Sequence, residues 1–280
     1  MQEYYFLFAI ALLWTLVATI QDIKKREIAN WLNFSLLAFA LAYRAFYSVI
    51  TNNYKFFLLG VLGFMLFLIL ANVFYYAKAF AGGDAKLLIA YGAILPFSSY
   101  LNIILLSVTF LILLFSVGAV YSLLYSIFIV AKNKSVFKKH FKINWKKYRI
   151  FVLVPIIIFI ILALAKVYIY FSLTFLLISL GVLLYIYTLA LDKCMIVLLP
   201  PNKLTEGDWL IQDIKLPKNL TIKKTVHGLS KKDISLLKRY NKRIKIKQGI
   251  PFVPAFLISL IITGCAFLVL EFPFSALLPF

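Results

Sequence analysis

The chain is poor in charged residues, and above all in acidic ones. Only 14% of its 280 residues are charged, and Asp and Glu together number 10. Its 11 glycines and 9 prolines are too few for a disordered or collagen-like chain. The 2 cysteines exclude a disulfide framework and a cysteine-rich zinc site. Hydrophobic residues, in contrast, make up 64% of the chain, which is more apolar surface than a soluble domain of this size needs.

Long apolar segments account for most of the sequence. A helix that crosses a bilayer needs about 20 mostly apolar residues. Eight segments reach or approach that length: 4–21, 29–50, 56–77, 86–99, 101–131, 150–169, 171–191 and 250–271. The fourth is short, and the boundary between the sixth and the seventh is indistinct, so seven spans remain open. We therefore predict an all-α polytopic membrane protein with about eight transmembrane helices, within a range of six to eight.

The basic residues indicate how these helices are oriented. With the N-terminus outside and eight spans, 27 of the 30 Lys and Arg residues fall on one side of the membrane, and only Arg44, Lys55 and Lys166 fall elsewhere. Such a bias is typical of cytosolic loops. We expect a multi-pass protein of the cell membrane with both termini outside and the large loops in the cytosol. The same clustering favours anionic lipids as partners of the basic loops, and it argues against nucleic acid as the reason for the net charge of +20.

The chain divides into four predicted regions. They are a compact four-helix membrane unit at 1–100, further transmembrane helices at 101–191 with a basic cytosolic loop at 131–149, a cytosolic subdomain at 192–249, and a last helix and tail at 250–280. Within the subdomain, alternating residues at 209–216 and 220–226 predict two strands with a turn at 217–219. Ser230 and Asp233 predict the capped start of a helix. The region therefore forms a small α+β insertion before the last helix.

Two short polar segments interrupt the apolar chain, and each carries one aspartate. Asp22 ends the first span, and Asp84 begins the fourth. Taken alone, Asp22 is an ordinary solvated residue at a helix end, and Asp84 is an ordinary helix cap. However, the second and third spans return the chain to the cytosolic side, so the two aspartates lie on the same face of the membrane. Two neighbouring carboxylates can share a proton and activate a water molecule.

The residues around the aspartates suggest supporting roles. Gly82 and Gly83 carry no side chain, so an extended substrate backbone could approach Asp84 closely. Lys86 could orient the substrate or tune the carboxylates, or it could be an ordinary interface lysine. Asn30 could donate a hydrogen bond near Asp22, or it could simply supply polarity at a helix start. We predict no metal site, because His140 and His227 lie in separate loops without other ligands.

Both polar segments resemble known motifs. The run 81–84, Ala-Gly-Gly-Asp, resembles the Gly-x-Gly-Asp signature of membrane aspartyl peptidases, with Ala81 in place of the first glycine. The run 22–30 resembles the Asp-x5-Ile-Pro-Asn segment of type IV prepilin peptidases, with Ala29 in place of proline. The archaeal branch of that family, the prepilin and preflagellin (prearchaellin) peptidases, fits best.

The resemblance implies an activity and a pair of catalytic residues. Asp22 and Asp84 would form the dyad of an aspartic endopeptidase that removes short basic leaders from pilin-like or archaellin precursors at the cytosolic face. No cofactor is implied. Bacterial relatives often carry a zinc-binding cysteine pattern and a methyltransferase activity. That cysteine pattern is absent here, so we expect neither. The sequence indicates neither the individual precursor nor the oligomeric state.

Two alternative functions use the same aspartates. An intramembrane protease of the presenilin or signal-peptide-peptidase type shares the Gly-x-Gly-Asp signature, but its aspartates lie at mid-bilayer within long apolar helices. Asp22 instead precedes Lys24, Lys25 and Arg26, which favours a surface location. A transporter could use Asp22 and Asp84 as proton or cation sites. Transporters usually hold such residues near the midplane in broken helices, often in repeated halves, and the sequence shows no repeat.

Overall fold

A computed structural model describes residues 3–166, 168–217, 220–225, 228–241 and 243–269. Its helices are α1 (Glu3–Lys25), α2 (Asn30–Ile50), α3 (Tyr54–Tyr76), α4 (Gly82–Ile94), α5 (Tyr100–Lys132), α6 (Lys134–Leu164), α7 (Ile169–Cys194), α8 (Lys231–Arg239) and α9 (Val253–Gly264). A π-helical turn, Cys265–Val269, continues α9. Within the described residues, six helices are long and apolar enough to cross a membrane: α1, α2, α3, α5, α6 and α7. The predicted polytopic helical membrane fold is confirmed.

Helix α4 differs from its neighbours in length and in burial. Its 13 residues extend for about 20 Å, whereas the hydrocarbon core of a bilayer is about 30 Å thick. The segment predicted at 86–99 ends early because Leu95 precedes a proline and has extended backbone angles, φ −55° and ψ 144°, as residues before proline prefer. Most of α4 is buried. The helix therefore forms part of the protein core and presents little surface to lipid.

One compact unit comprises Met1–Leu123 and Ile250–Phe280. In this unit α4 packs between α2 and α3, and α9 packs on α1. Gly63 of α3 and Gly92 of α4 allow a very close approach, because a β-carbon on either residue would overlap the backbone of the other helix. The first and the last parts of the chain thus build one hydrophobic core around α4.

A buried arginine holds the far end of α4. Arg44 of α2 has no exposed surface and donates hydrogen bonds from Nε to the carbonyl oxygen of Ala93 at 2.6 Å, from Nη1 to that of Phe56 at 2.9 Å, and from Nη2 to that of Leu95 at 2.7 Å. Its guanidinium also lies 4.6 Å from the ring centre of Phe56. Because carbonyls at a helix C-terminus lack intrahelical partners and carry partial negative charge, Arg44 acts as the cap of α4.

Because Arg44 caps α4, we predict that its replacement causes a large loss of stability. Arg44→Leu leaves buried carbonyl oxygens without donors, and each such loss costs about 1–3 kcal/mol. We expect a much lower unfolding temperature in detergent and a poor monodisperse yield. The matched control is Lys55→Leu, which removes an exposed basic residue from the neighbouring turn of α3. Equal thermal stability of the two variants would contradict the assignment of Arg44 as the cap.

The second compact unit, Leu124–Gly249, contains an antiparallel hairpin of α6 and α7. The hydroxyl of Ser179 donates to the carbonyl oxygen of Val152 across the hairpin at 3.0 Å. Residues 134–149, for which the sequence predicts a basic loop, form the first half of α6. The reason is an aromatic row at every fourth position, in which the ring centres of Phe137 and Phe141 lie 5.5 Å apart and those of Phe141 and Trp145 lie 6.3 Å apart. Such spacing stabilises a helix.

The same unit holds the α+β insertion. Its strands are β1 (Ile196–Leu199), β2 (Trp209–Leu210), β3 (Ile214–Lys215), β4 (Thr221–Ile222) and β5 (Ile244–Lys247). They form an antiparallel sheet in the order β1-β5-β2 and a separate β3-β4 hairpin. The predicted strands are therefore shorter than expected, and β1 and β5 were not predicted. Ser230 and Asp233 cap α8 reciprocally, as predicted. The predicted turn lies partly outside the described residues.

Candidate active site

The two aspartates lie in one site of the first unit. Asp22 occupies the last turn of α1 and Asp84 the first turn of α4, and their exposed fractions are 7% and 9%. Asp84 is outside the helices long enough to span the membrane. Burial, followed by the negative charge of the nearby Asp22, raises the pKa of the Asp84 carboxyl to about 7. The negative charge of Asp22 therefore acts on the Asp84 carboxyl, and like charges in one site disfavour ionisation of both.

A buried hydrogen bond sets the register between α1 and α4. The hydroxyls of Thr15 and Tyr91 lie 2.8 Å apart. Thr15 is seven residues before Asp22, and Tyr91 is seven residues after Asp84. Seven residues make about two helical turns, so each aspartate lies on the same face of its helix as its hydroxyl. In two antiparallel helices this contact brings Asp22 and Asp84 to the same height.

The two glycines before Asp84 have different surroundings. A β-carbon on Gly83 would lie 3.2 Å from Cδ1 of Ile28, whereas one on Gly82 would meet only Cε2 of Tyr75, at an ordinary 3.7 Å. The side-chain amide of Asn33 also donates to the carbonyl oxygen of Gly83 at 3.2 Å. Gly83 is thus explained by packing inside the protein. Only Gly82 leaves room beside Asp84, so close approach of a substrate stays a prediction at Gly82, and packing against Ile28 accounts for Gly83.

The structure brings the other two candidate residues into contact with each other. Nζ of Lys86 donates to Oδ1 of Asn30 at 2.6 Å on the exposed side of the site. The same Nζ lies 6.0 Å from the ring centre of Phe34. Lys86 and Asn30 therefore join the first turns of α4 and α2, and together they form a polar edge beside the aspartates.

The backbone accommodates Ala29 and Ala81, the two residues that depart from the family motifs. The N–H of Ala29 donates to Oε1 of Gln21 at 3.0 Å, a bond that a proline at this position could not make. Ala81 precedes α4 with φ −71° and ψ 162°, which every L-residue adopts without strain. Both alanines are therefore compatible with the backbone at these positions.

The structure places two further residues near the aspartates that the sequence does not predict. The N–H of Val253, at the start of α9, donates to Oδ2 of Asp22 at 3.0 Å. Asn33 is almost fully buried, and its Oδ1 has no hydrogen-bond partner among the described residues. A weak signal exists for Asn33, because it lies one turn after Asn30. No local pattern could reveal Val253, which is 231 positions away from Asp22.

Two acidic residues of the second unit, Asp192 and Glu206, form local ion pairs. In the described part of the chain no group of three or more His, Cys, Asp or Glu side chains could hold a metal ion. Asp192 pairs with Lys247 at 2.8 Å, and Glu206 lies 3.7 Å from Lys231. These surface ion pairs contribute little energy each, and they leave the Asp22–Asp84 site as the candidate centre of chemistry.

Comparison with known proteins points to the same part of the chain. Residues 9–131 match the model of the type IV leader peptidase family. The resemblance to archaeal prepilin and preflagellin peptidases is confirmed. Preflagellin peptidases of Methanocaldococcus jannaschii, Methanococcus voltae and Methanococcus maripaludis are 30%, 33% and 28% identical to this chain over 89 residues. The matched segment is 32% of this chain and 38% of each relative. No solved structure matches the chain.

The unequal surroundings of the glycines predict unequal effects of alanine. Gly83→Ala forces Ile28 to move, and overpacking of this kind costs about 1–3 kcal/mol. Gly82→Ala adds the same methyl group to the same helical turn without a close contact, so it is the matched control. We expect only Gly83→Ala to lower the unfolding temperature in detergent. If Gly82→Ala were the less stable of the two, the packing explanation would be wrong.

Proposed function

We propose that the protein is an aspartic endopeptidase that removes short basic leader peptides from type IV pilin-like or archaellin precursors at the cytosolic face of the cell membrane. The observation that carries this proposal is the pair of buried carboxylates, Asp22 and Asp84, in a single site within the segment that matches the leader peptidase family. The matched relatives are preflagellin peptidases, which supports a precursor of the flagellin type as substrate.

The proposed mechanism uses one proton shared between the two carboxylates. One aspartate is ionised and the other protonated, because two negative charges this close are unfavourable. The ionised carboxylate accepts a proton from water, and the water attacks the scissile carbonyl carbon. The protonated carboxyl donates its proton to the carbonyl oxygen. When the C–N bond breaks, the first carboxyl passes the proton it took from water to the leaving amine, and the second regains a proton from a hydroxyl of the tetrahedral intermediate. A pKa of about 7 for Asp84 is consistent with a shared proton at near-neutral pH.

The residues around the dyad suggest how substrate approaches it. Gly82 provides the open side of the first turn of α4, where an extended peptide could pass close to Asp84. The Lys86–Asn30 pair lies at the exposed edge, where it would contact the polar part of a precursor. The leader would then reach the dyad from the aqueous side, while the apolar segment of the precursor remained in the bilayer.

The sidedness of the membrane rests on the distribution of charge. Asp22 is followed within one turn by Lys24, Lys25 and Arg26, and basic residues at helix ends favour the cytosolic surface. We therefore place the dyad and the large loops in the cytosol and the N-terminus outside. A position among basic residues also favours leader cleavage over the alternatives, because presenilin-type proteases hold their aspartates at mid-bilayer and transporters usually hold them near the midplane.

We also propose that anionic lipids bind the first half of α6. Between Lys132 and Arg149 the sequence has eight basic and no acidic residues, and the lysines there are exposed. Clustered lysines beside a membrane are attracted to anionic headgroups. A basic leader would be repelled by the same surface, so this segment is better suited to membrane attachment than to substrate recruitment.

Replacement of either aspartate tests the proposed activity. Asp22→Asn and Asp84→Asn should each abolish cleavage of a leader-bearing precursor, read by mass spectrometry, and the double variant should be no worse because the pair acts as a unit. Wild-type cleavage should fall as the pH rises through about 7, where Asp84 loses its proton. Asp192→Asn, a surface substitution, is the control. Normal turnover by either dyad variant would falsify the assignment.

Cysteine labelling tests the proposed orientation. In a background without Cys194 and Cys265, we expect a membrane-impermeant thiol reagent to label Asn53→Cys from outside and His140→Cys only after the cell is opened. The charge bias motivates this expectation. Labelling of His140→Cys in intact cells would show that the orientation is inverted, and the dyad would then face the wrong compartment for leader removal.

A further inference from the structure

The start of α9 contacts Asp22 through a backbone donor. Val253 is the first residue of α9 and has no exposed surface. Its N–H donates to Oδ2 of Asp22 at 3.0 Å, and the bond is buried. A hydrogen bond to a buried carboxylate favours the ionised form of the carboxyl over the protonated form.

The start of α9 directs backbone donors at Asp22. The N–H groups of Val253 and of the preceding Phe252 both favour its ionised form, and so does the positive charge of the nearby Arg26. The first N–H groups of a helix have no partner within that helix. The second residue of α9 is Pro254, which has no N–H, and the N–H of Ala255 is bonded to the carbonyl oxygen of Phe252 at 3.0 Å. The N–H of Val253 is therefore available for Asp22, and the partial positive charge of the helix N-terminus acts in the same direction.

Aromatic packing fixes this donor in place. The ring of Phe252, next to Val253, has its centre 5.6 Å from that of Phe80 and 5.9 Å from that of Phe256. On α5, a β-carbon at Gly118 would lie 2.5 Å from Cζ of Phe252, so the absence of a side chain there admits the ring. The start of α9 is thus held by contacts that do not involve Asp22, and the donor is positioned before any charge develops.

We propose that the backbone N–H of Val253 is a positioning group of the active site, which orients the carboxylate of Asp22 and stabilises its ionised form. The inference rests on the proposed function and deepens it. Asp84 lies in the first turn of α4, so the shared negative charge of the dyad lies between the N-termini of two helices, α4 and α9. The segment that begins at Val253 is then required for the chemistry as well as for the fold.

A purely structural alternative exists, in which Asp22 only caps α9. The two readings differ in the pH dependence of cleavage. If the N–H stabilises the ionised carboxylate, its removal raises the pKa of the dyad, and the acidic limb of the pH–rate profile moves upward by about one pH unit, as expected for loss of one charge-assisted hydrogen bond. A cap alone would change stability and leave that limb in place.

The test removes the N–H and keeps the side chain. Residue 253 is introduced into the full chain as α-hydroxyisovalerate, so that an ester oxygen replaces the N–H. Proline would also remove the N–H, but Phe252 has ψ −17°, a conformation that residues before proline avoid. Val253→Ala is the matched control, because it trims the side chain and keeps the donor. We expect the ester protein to lose at least tenfold in kcat with an unchanged KM and to show the upward shift. Val253→Ala should keep the wild-type acidic limb.

A second measurement does not depend on cleavage or on the ester protein. The amide signal of Val253, from protein labelled with 15N-valine and 13C-phenylalanine and assigned by its loss in Val253→Ala, should move as the dyad titrates. The movement should disappear in Asp22→Asn. A pH-independent signal, or an ester protein with the wild-type acidic limb, would overturn the proposal. If the wild-type protein cleaves no precursor while its Val253 signal titrates with Asp22, the proposed function fails and the positioning contact stands.

Discussion

The placement of one short helix, α4, is the constraint on which the rest of the first unit depends. Its first turn carries Asp84 into a largely apolar interior, and its last carbonyls end inside the protein instead of in water. Both features cost free energy unless they are compensated. Arg44 compensates for the carbonyls, and burial raises the pKa of the Asp84 carboxyl to about 7, which favours its neutral form. A helix too short to cross the bilayer can be buried in this way only because α1, α2 and α3 enclose it.

Several contacts together fix the position of α4. The Thr15–Tyr91 bond fixes its height against α1, Asn33 holds the peptide before Asp84, and the closely packed glycines of α3 and α4 fix their separation. Each contact is ordinary. Together they leave the Asp84 side chain little freedom of position, which is what two carboxylates that share a proton require. Hydrogen bonds between polar groups in an apolar interior are strongly directional. They therefore fix the register of α4 against its neighbouring helices more precisely than apolar side chains alone.

The first unit is built from both ends of the chain. The match to the leader peptidase family covers residues 9–131, whereas α9 begins at Val253 and contacts Asp22 across an intervening unit of more than a hundred residues. This arrangement explains how a large insertion is compatible with a site near the N-terminus. The α6–α7 hairpin and the α+β insertion have their own core, and no residue of the dyad comes from them.

The sequence by itself determined the class of protein and most of the helices. It also singled out Asp22 and Asp84 as the candidate catalytic residues. An apolar segment long enough to cross a bilayer has few possible structures other than a transmembrane helix. The aspartates stand out because charged residues are rare in such a chain. Local patterns also sufficed for the cap of α8. They did not suffice for residues 134–149, where charge concealed a helix, or for β1 and β5, whose pairing joins distant segments.

Tertiary structure alone decided which residues hold α4 in place and which surround the carboxylates. In the sequence, Arg44 is an isolated basic residue within an apolar segment, and only folding brings it to the end of α4. Gly82 and Gly83 look equivalent until Ile28 packs against one of them. Val253 acts through its backbone, which carries no side-chain signal at all. The physical reason is common to these cases: a contact between residues far apart in sequence depends on how whole helices pack, and no property of the local sequence encodes it.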